Sequence, residues 1–312
     1  MDNQQPIEQK NPQPSVRLIG FGQLIDQTWA IYKKRFIIYF LIALIPGLIS
    51  YLLSFIPLAW SSEKNTDFFS LTNSLPTVSG SSVAYSMTAS ILISLVSSLL
   101  SLIGYAALIY IVKNNSEKIN IQEALKKALK KTPQLIWVSI LFTLISFGGF
   151  GLFVVPGIYF TVALVFSIFI VVSEDKKGME ALITSKFYVK NNWWQVFWRF
   201  FFLGIVTIVI GLIPLGIIFI LRLSVSTFSA FTNIFTNISG LFSLIFNTLW
   251  LPFVIIFTFL LYQSLREQKQ GANFDEAKKS KNLLVVFAVL GLIFFLASFS
   301  LSFINSWFVP KI

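Results

Sequence analysis

Long uncharged apolar runs recur along the chain, separated by short segments that hold nearly all of its charge. A helix rises about 1.5 Å per residue and a bilayer's hydrocarbon layer is about 30 Å thick, so a run of roughly 20 apolar residues can cross as a helix. In that form every backbone polar group is satisfied within its own segment. The pattern predicts spans near 36–58, 85–112, 135–150, 152–172, 197–221, 241–262 and 283–304. These make a helical membrane domain over 21–304, between a polar, disordered tail at 1–20 and a short tail at 305–312. The expected fold class is an all-α integral membrane protein of about seven transmembrane helices, with amphipathic interfacial helices on its cytoplasmic side.

The stretch 135–172 needs a second test, because it carries no charge and is interrupted by Gly148, Gly149, Gly151 and then Pro156-Gly157. Two spans joined by a hairpin-like break is one reading, and a re-entrant pair is the alternative. Lysine and arginine collect on the cytoplasmic side of short loops, which allows a choice of span number. Five lie in the amino-terminal segment, six at 113–131, five at 176–199 and five at 266–281; only Lys64, Arg222 and Lys311 fall on the other side. With two spans in 135–172, 21 of the 24 basic residues share one side; a single crossing misplaces ten. The expected topology is multi-pass in the cell inner (cytoplasmic) membrane, amino terminus cytoplasmic and carboxyl terminus outside. The first apolar run, starting at Phe36 after a Pro-bearing polar segment, reads as an uncleaved signal anchor rather than a cleaved signal.

Three of the basic segments contain a stretch of helical amphipathic spacing that runs into a span. Leu24, Ile25, Thr28, Ile31 and Tyr32 form one apolar stripe; Ile121, Leu125, Ala128 and Leu129 form another opposite Lys126, Lys127, Lys130 and Lys131. Asn120 with Glu123 suggests a capping box. The third, from Met179 to Phe197, aligns with the first at an offset of 157, pairing Ile25 with Leu182, Thr28 with Ser185, Lys33 with Lys190 and Phe36 with Trp193. Ordinary topogenic flanks packing on the bundle is one reading. The other is a lipid interface in which Lys126, Lys127, Lys130, Lys131, Lys186, Lys190, Trp193 and Trp194 meet anionic headgroups.

These stretches carry a resemblance. Glu180-Ala181-Leu182, Ser185, Val189-Lys190 and Trp193-Trp194, preceded by Val155-Pro156-Gly157-Ile158 and Glu174, resemble the glycerophosphoryl diester phosphodiesterase membrane domain family and its YciC-like relatives. Glu123-Ala124-Leu125 and Trp29-Ala30-Ile31-Tyr32-Lys33 sit where that family has similar residues, so the similarity covers roughly 20–262. It implies a multi-helix bacterial membrane domain without the phosphodiesterase domain. Asn191-Asn192 stands where members often have a Lys-Gly pair, and the seventh span lies beyond the usual six.

Composition narrows the chemistry. There is no His and no Cys, which removes thiolate chemistry, disulfides and the commonest metal ligand and general base. A phosphodiesterase barrel needs histidines, metal-binding carboxylates and about 250 residues outside the membrane, and the chain has no His and no extramembrane segment of that length. No charge lies centrally in a span, so no buried Asp or Glu suggests a proton relay. The net charge of +11 sits in span flanks, which points to membrane topology and not to nucleic acid. No cofactor is expected.

Two features remain. Ser94, Ser97, Ser98, Ser101 and Gly104 form a small-residue stripe that predicts close helix approach. Pro46, Gly47, Pro156, Gly157, Pro214, Gly216 and Pro252 are helix-break positions, read as packing kinks or as the frame of a substrate site. The function expected is a non-enzymatic membrane protein acting in envelope organisation or in binding membrane-protein partners or its own copies. The alternative is a transporter or lipid-handling protein for uncharged or zwitterionic cargo. An enzyme built on loop carboxylates such as Glu174, Asp175 and Glu180 ranks third.

Overall fold

The computed structural model describes residues 18–53, 55, 80–114, 120–224, 229–269 and 281–308, with side chains at all of these except 80–87, 213–215, 217–238, 299 and 301–308. The expectations for the amino-terminal tail before 18, for the end of the first span after 55 and for the last four residues lie outside the described residues. Every regular element among the described residues is helical: α1 Phe21–Lys34, α2 Phe36–Leu53, α3 Gly80–Lys113, α4 Ile121–Leu152, α5 Val154–Leu164, α6 Ser167–Glu174, α7 Gly178–Val189, α8 Trp193–Ser224, α9 Ser229–Gln268 and α10 Lys281–Phe308. Among the described residues seven stretches are long and apolar enough to cross a membrane, carried by α2, α3, α4, α5 with α6, α8, α9 and α10.

Residues 135–172 form two antiparallel stretches. α4 ends at Leu152, Phe153 is extended (φ −159°, ψ 158°), and α5 starts at once. The backbones can turn this tightly because Gly149 and Gly157 face each other: a Cβ on Gly149 would lie 2.9 Å from the Gly157 Cα. Pro156 falls in the first turn of α5, where its missing N–H costs no helix bond. The fourth span is itself broken at Val165 and Phe166. Ser185 on α7 bridges that break, donating to the Ala163 carbonyl (2.8 Å) and accepting from the Phe166 N–H (3.2 Å).

The bundle has two columns. α4 packs on α10, α5, α3, α6 and α7, while α9 packs on α2, α1, α3, α8 and α7. An aromatic core joins them, in which Phe169 lies 5.9 Å from Tyr105 on α3 and 6.3 Å from Tyr262 on α9, centroid to centroid. Pro252 sits inside α9, and α1 is tied to the turn before it: the Tyr32 hydroxyl donates to the Leu249 carbonyl at 3.0 Å.

Several local expectations are corrected. α1 buries Leu24, Thr28 and Tyr32, whereas α7 is buried on most of its circumference, including Ala181 to Ser185, Tyr188 and Val189. It therefore does not lie with one face free. The second amphipathic stretch is the first turns of the 32-residue α4, burying the small Ala124 and Ala128, while Leu129 is 55% exposed. Asn120 caps that helix by accepting from the Gln122 N–H, but Glu123 pairs with Lys127 instead of closing a capping box. α9 starts at Ser229, earlier than the predicted span at 241–262.

Candidate functional site

Three of the basic segments meet at one end of the bundle. Lys113 closes α3, Lys131 lies near the start of α4, Asp175 follows α6, and Arg266 ends α9; their side chains converge on the last turn of α6. Carbonyls at a helix carboxyl end lack intrahelical donors and carry partial negative charge. Lys131 Nζ donates to the Val171 and Val172 carbonyls (3.1 Å each) and pairs with Asp175 (2.6 Å), and Lys113 Nζ donates to the Ser173 carbonyl (3.0 Å). Asp175 ends the helix in the left-handed region (φ 59°). The hydrogen bond from Lys131 holds its carboxyl below the usual carboxylate range.

Glu174 sits at the centre of this end, its side chain only 9% exposed. Its Oε1 accepts from the Tyr262 hydroxyl at 2.6 Å and the Tyr188 hydroxyl at 2.8 Å. Lys176 Nζ lies 3.2 Å from Oε2, Arg266 Nε lies 3.6 Å from Oε1, and Lys176 also donates to Thr184. Burying a carboxylate is costly unless charged and hydrogen-bonding partners replace its water, and here two phenols and two cations do so. Burial, with the bond to Glu174, raises the Tyr188 phenol pKa. This hub ties α6, α7 and α9 together. The sequence alone places Glu174 in a loop and does not reveal this hub, because its partners stand 14 and 88 residues further along the chain.

The lysines named for a lipid interface separate into two groups. Lys127 pairs with Glu123 (2.7 Å), contacts the Tyr110 hydroxyl and lies over that ring, and Lys131 is taken up by α6. Both act within the fold. Lys126 and Lys130 are exposed on α4. Lys186 and Lys190 lie near Lys269, which the sequence reading did not single out: desolvation first, and the Lys190 charge second, lower the pKa of both Lys186 and Lys269. Lys269 also lies over the Phe187 ring (5.7 Å). Trp193 stacks on Tyr159 and Phe197 and donates to the Tyr159 carbonyl (3.2 Å), while Trp194 is 65% exposed beside it. The offset of 157 has a structural counterpart here, since Phe36 and Trp193 each begin a long helix after a break.

Helix-break positions fare differently from one another. Pro46 and Gly47 lie inside α2 and border a cavity of about 200 Å³ lined also by Ala43, Ser101, Gly104, Leu244, Asn247, Thr248 and Leu251. Pro156 and Gly157 belong to the packed hairpin, where a Cβ on Gly157 would meet the Phe150 ring at 2.4 Å. Pro214 and Gly216 fall within α8, with Gly216 exposed; the Pro214 side chain lies outside the described residues. The serine stripe is corrected too. Gly104 meets α2 closely, its Cβ position 2.9 Å from Pro46 Cγ, whereas Ser94, Ser98 and Ser101 are exposed. Ser94 and Ser98 donate back to the Ile91 and Leu95 carbonyls.

Fold and charged end together define an all-α, multi-pass membrane protein. Comparison of the chain with protein-family models, curated proteins and solved structures gives no match.

Proposed function

We propose that this chain is a non-enzymatic integral protein of the bacterial cytoplasmic membrane that holds its lysine-rich end against anionic headgroups on the cytoplasmic side and binds other membrane components. The amino terminus is placed inside and the carboxyl terminus outside, as the loop charges favour. The observation that carries this reading is the state of Glu174. A general acid or base must be free to exchange a proton with substrate, whereas this carboxylate is closed off by Tyr188, Tyr262, Lys176 and Arg266. Its arrangement is that of a clamp. Likeness to the phosphodiesterase-linked membrane domain family, resting on the motifs around Glu180 and Trp193, supports the same reading. The test is a variant carrying Glu174→Gln, Asp175→Asn and Glu180→Gln, followed in cells at matched protein level. An unchanged lipid profile is expected, and accumulation of a lipid substrate overturns the proposal.

The cavity beside Pro46 favours a second reading, a transporter or lipid-handling protein for uncharged or zwitterionic cargo, since no charged side chain lines it. Flux of a neutral or zwitterionic lipid reporter across proteoliposomes is the result this reading requires. Flux equal to that of protein-free liposomes removes it.

A further inference from the structure

The cavity lies close to the middle of the spans that frame it, with Pro46 and Gly47 near the midpoint of Phe36–Leu53. It is walled by α2, α3 and α9, and its lining includes Ser101 and Asn247, both exposed on the surface of the bundle. The opening therefore faces sideways, toward hydrocarbon. Thr248 is 3% exposed and lines the cavity, yet no hydrogen bond joins its hydroxyl to any of the described residues. An unpaired hydroxyl in such a place costs free energy unless something completes it.

Two prolines add to this deficit. Pro46 leaves the Ile42 carbonyl without its intrahelical donor and Pro252 does the same to the Thr248 carbonyl. On the same face of α2, one turn to either side, the Tyr39 and Ser50 hydroxyls are buried and unpartnered. The surroundings are thus rich in acceptors and in hydroxyls that can turn to donate or accept, and they hold no charge. A charged headgroup at this depth is costly. A pocket for a whole drug-sized ligand is about 300–1,000 Å³. A cavity of about 200 Å³ takes only part of a molecule.

We infer that the cavity between α2, α3 and α9 is a binding site for a neutral lipid that enters from the bilayer and places a free hydroxyl against Thr248. This deepens the lipid-handling reading and can fail separately from it.

The experiment uses the full chain in phosphatidylcholine nanodiscs containing diacylglycerol with a diazirine on one acyl chain, and maps cross-links by peptide mass spectrometry. Labelling is expected at 43–47, 101–104 and 244–251. Thr248→Val should lower it about fivefold, as loss of one hydrogen bond does. Ser101→Phe, at an exposed position, should block the mouth and lower labelling at least about tenfold, as a difference of roughly 1.4 kcal/mol does. A probe whose hydroxyl is acetylated should label at background. Thermal unfolding of each variant confirms that it is folded, and Asn247→Leu supplies an independent rim variant. Equal labelling of Ser101→Phe, equal labelling by the acetylated probe, or cross-links spread over the outward residues of α10 overturns the inference. Labelling without lipid flux keeps the site and removes transport; flux without labelling does the reverse.

Discussion

The Tyr262 hydroxyl donates to Glu174 Oε1 at 2.6 Å, joining the end of the fourth span to the sixth across 88 residues of chain. Hydrogen bonds to charged groups contribute about 1.5–3 kcal/mol, and hydrogen bonds between membrane helices average nearer 0.6. Tyr262→Phe leaves a buried carboxylate with one donor fewer, so a loss of about 1–3 kcal/mol is expected. A double-mutant cycle with Glu174→Gln, read by thermal unfolding in detergent, should give a coupling energy of at least about 0.5 kcal/mol. Additive effects would mean that Glu174 is not the group Tyr262 serves.

Asp175 contributes a pH dependence whose sign follows from its lowered pKa. A carboxylate with a folded pKa below its unfolded value of about 3.9 adds stability above that value and loses it as pH falls through the folded pKa. Its side chain is 77% exposed, so the contribution is screened and is expected to stay below about 1 kcal/mol. Asp175→Asn should flatten stability between roughly pH 4 and 2. Asparagine also tolerates the left-handed backbone at φ 59°, so the change tests the charge and not the turn. Unaltered acid sensitivity in that variant would assign it to another carboxylate.

How much of this could be read from the residues alone depends on how local the cause is. The spans follow from uncharged runs, a property of each segment by itself, and the meeting of three of the basic segments follows from the charge bias of loops. Even the breaks before Phe36 and Trp193 are legible, through the offset of 157 that aligns them. The Glu174 hub is not, because Tyr188 and Tyr262 look like ordinary apolar-face aromatics until α7 and α9 are folded against α6. Serine spacing misled for a related reason: Ser94, Ser98 and Ser101 match a packing stripe but are exposed, while Gly104 comes close to Pro46 on α2. A period identifies a face and does not identify what covers it.

Gly148 and Gly291 mark the crossing of α4 and α10. A Cβ on Gly291 would lie 1.9 Å from the Leu144 carbonyl oxygen, and one on Gly148 would lie 2.2 Å from that of Phe287. Small residues permit this approach, and helix association in lipid depends on the contact it allows. Overpacking in a close-fitted region costs about 1–3 kcal/mol, more where backbone must move. Gly291→Ala should therefore lower stability by at least that amount and make α10 more susceptible to limited proteolysis in detergent. Gly204→Ala, where a Cβ would meet nothing within 4 Å, is the control and should change neither measurement. Equal behaviour of the two variants would remove the crossing from the account of how α10 is held.

Lys186, Lys190 and Lys269 connect stability with the lipid environment. Desolvation and then the charge of Lys190 lower the pKa of Lys186 and of Lys269, so each costs stability while protonated. Because the unfolded chain binds those protons more readily, stability should rise as pH increases through the folded pKa values toward about 10.4, the unperturbed lysine value. In a neutral detergent Lys186→Gln should accordingly raise the unfolding temperature. Anionic lipid supplies the opposing charge, worth about 1 kcal/mol per lysine near the surface. Adding phosphatidylglycerol should thus stabilise the native chain more than a Lys186→Gln, Lys190→Gln, Lys269→Gln variant, with the difference shrinking as salt rises. Identical responses of the two proteins to phosphatidylglycerol would separate this lysine cluster from the membrane surface and leave it a feature of packing alone.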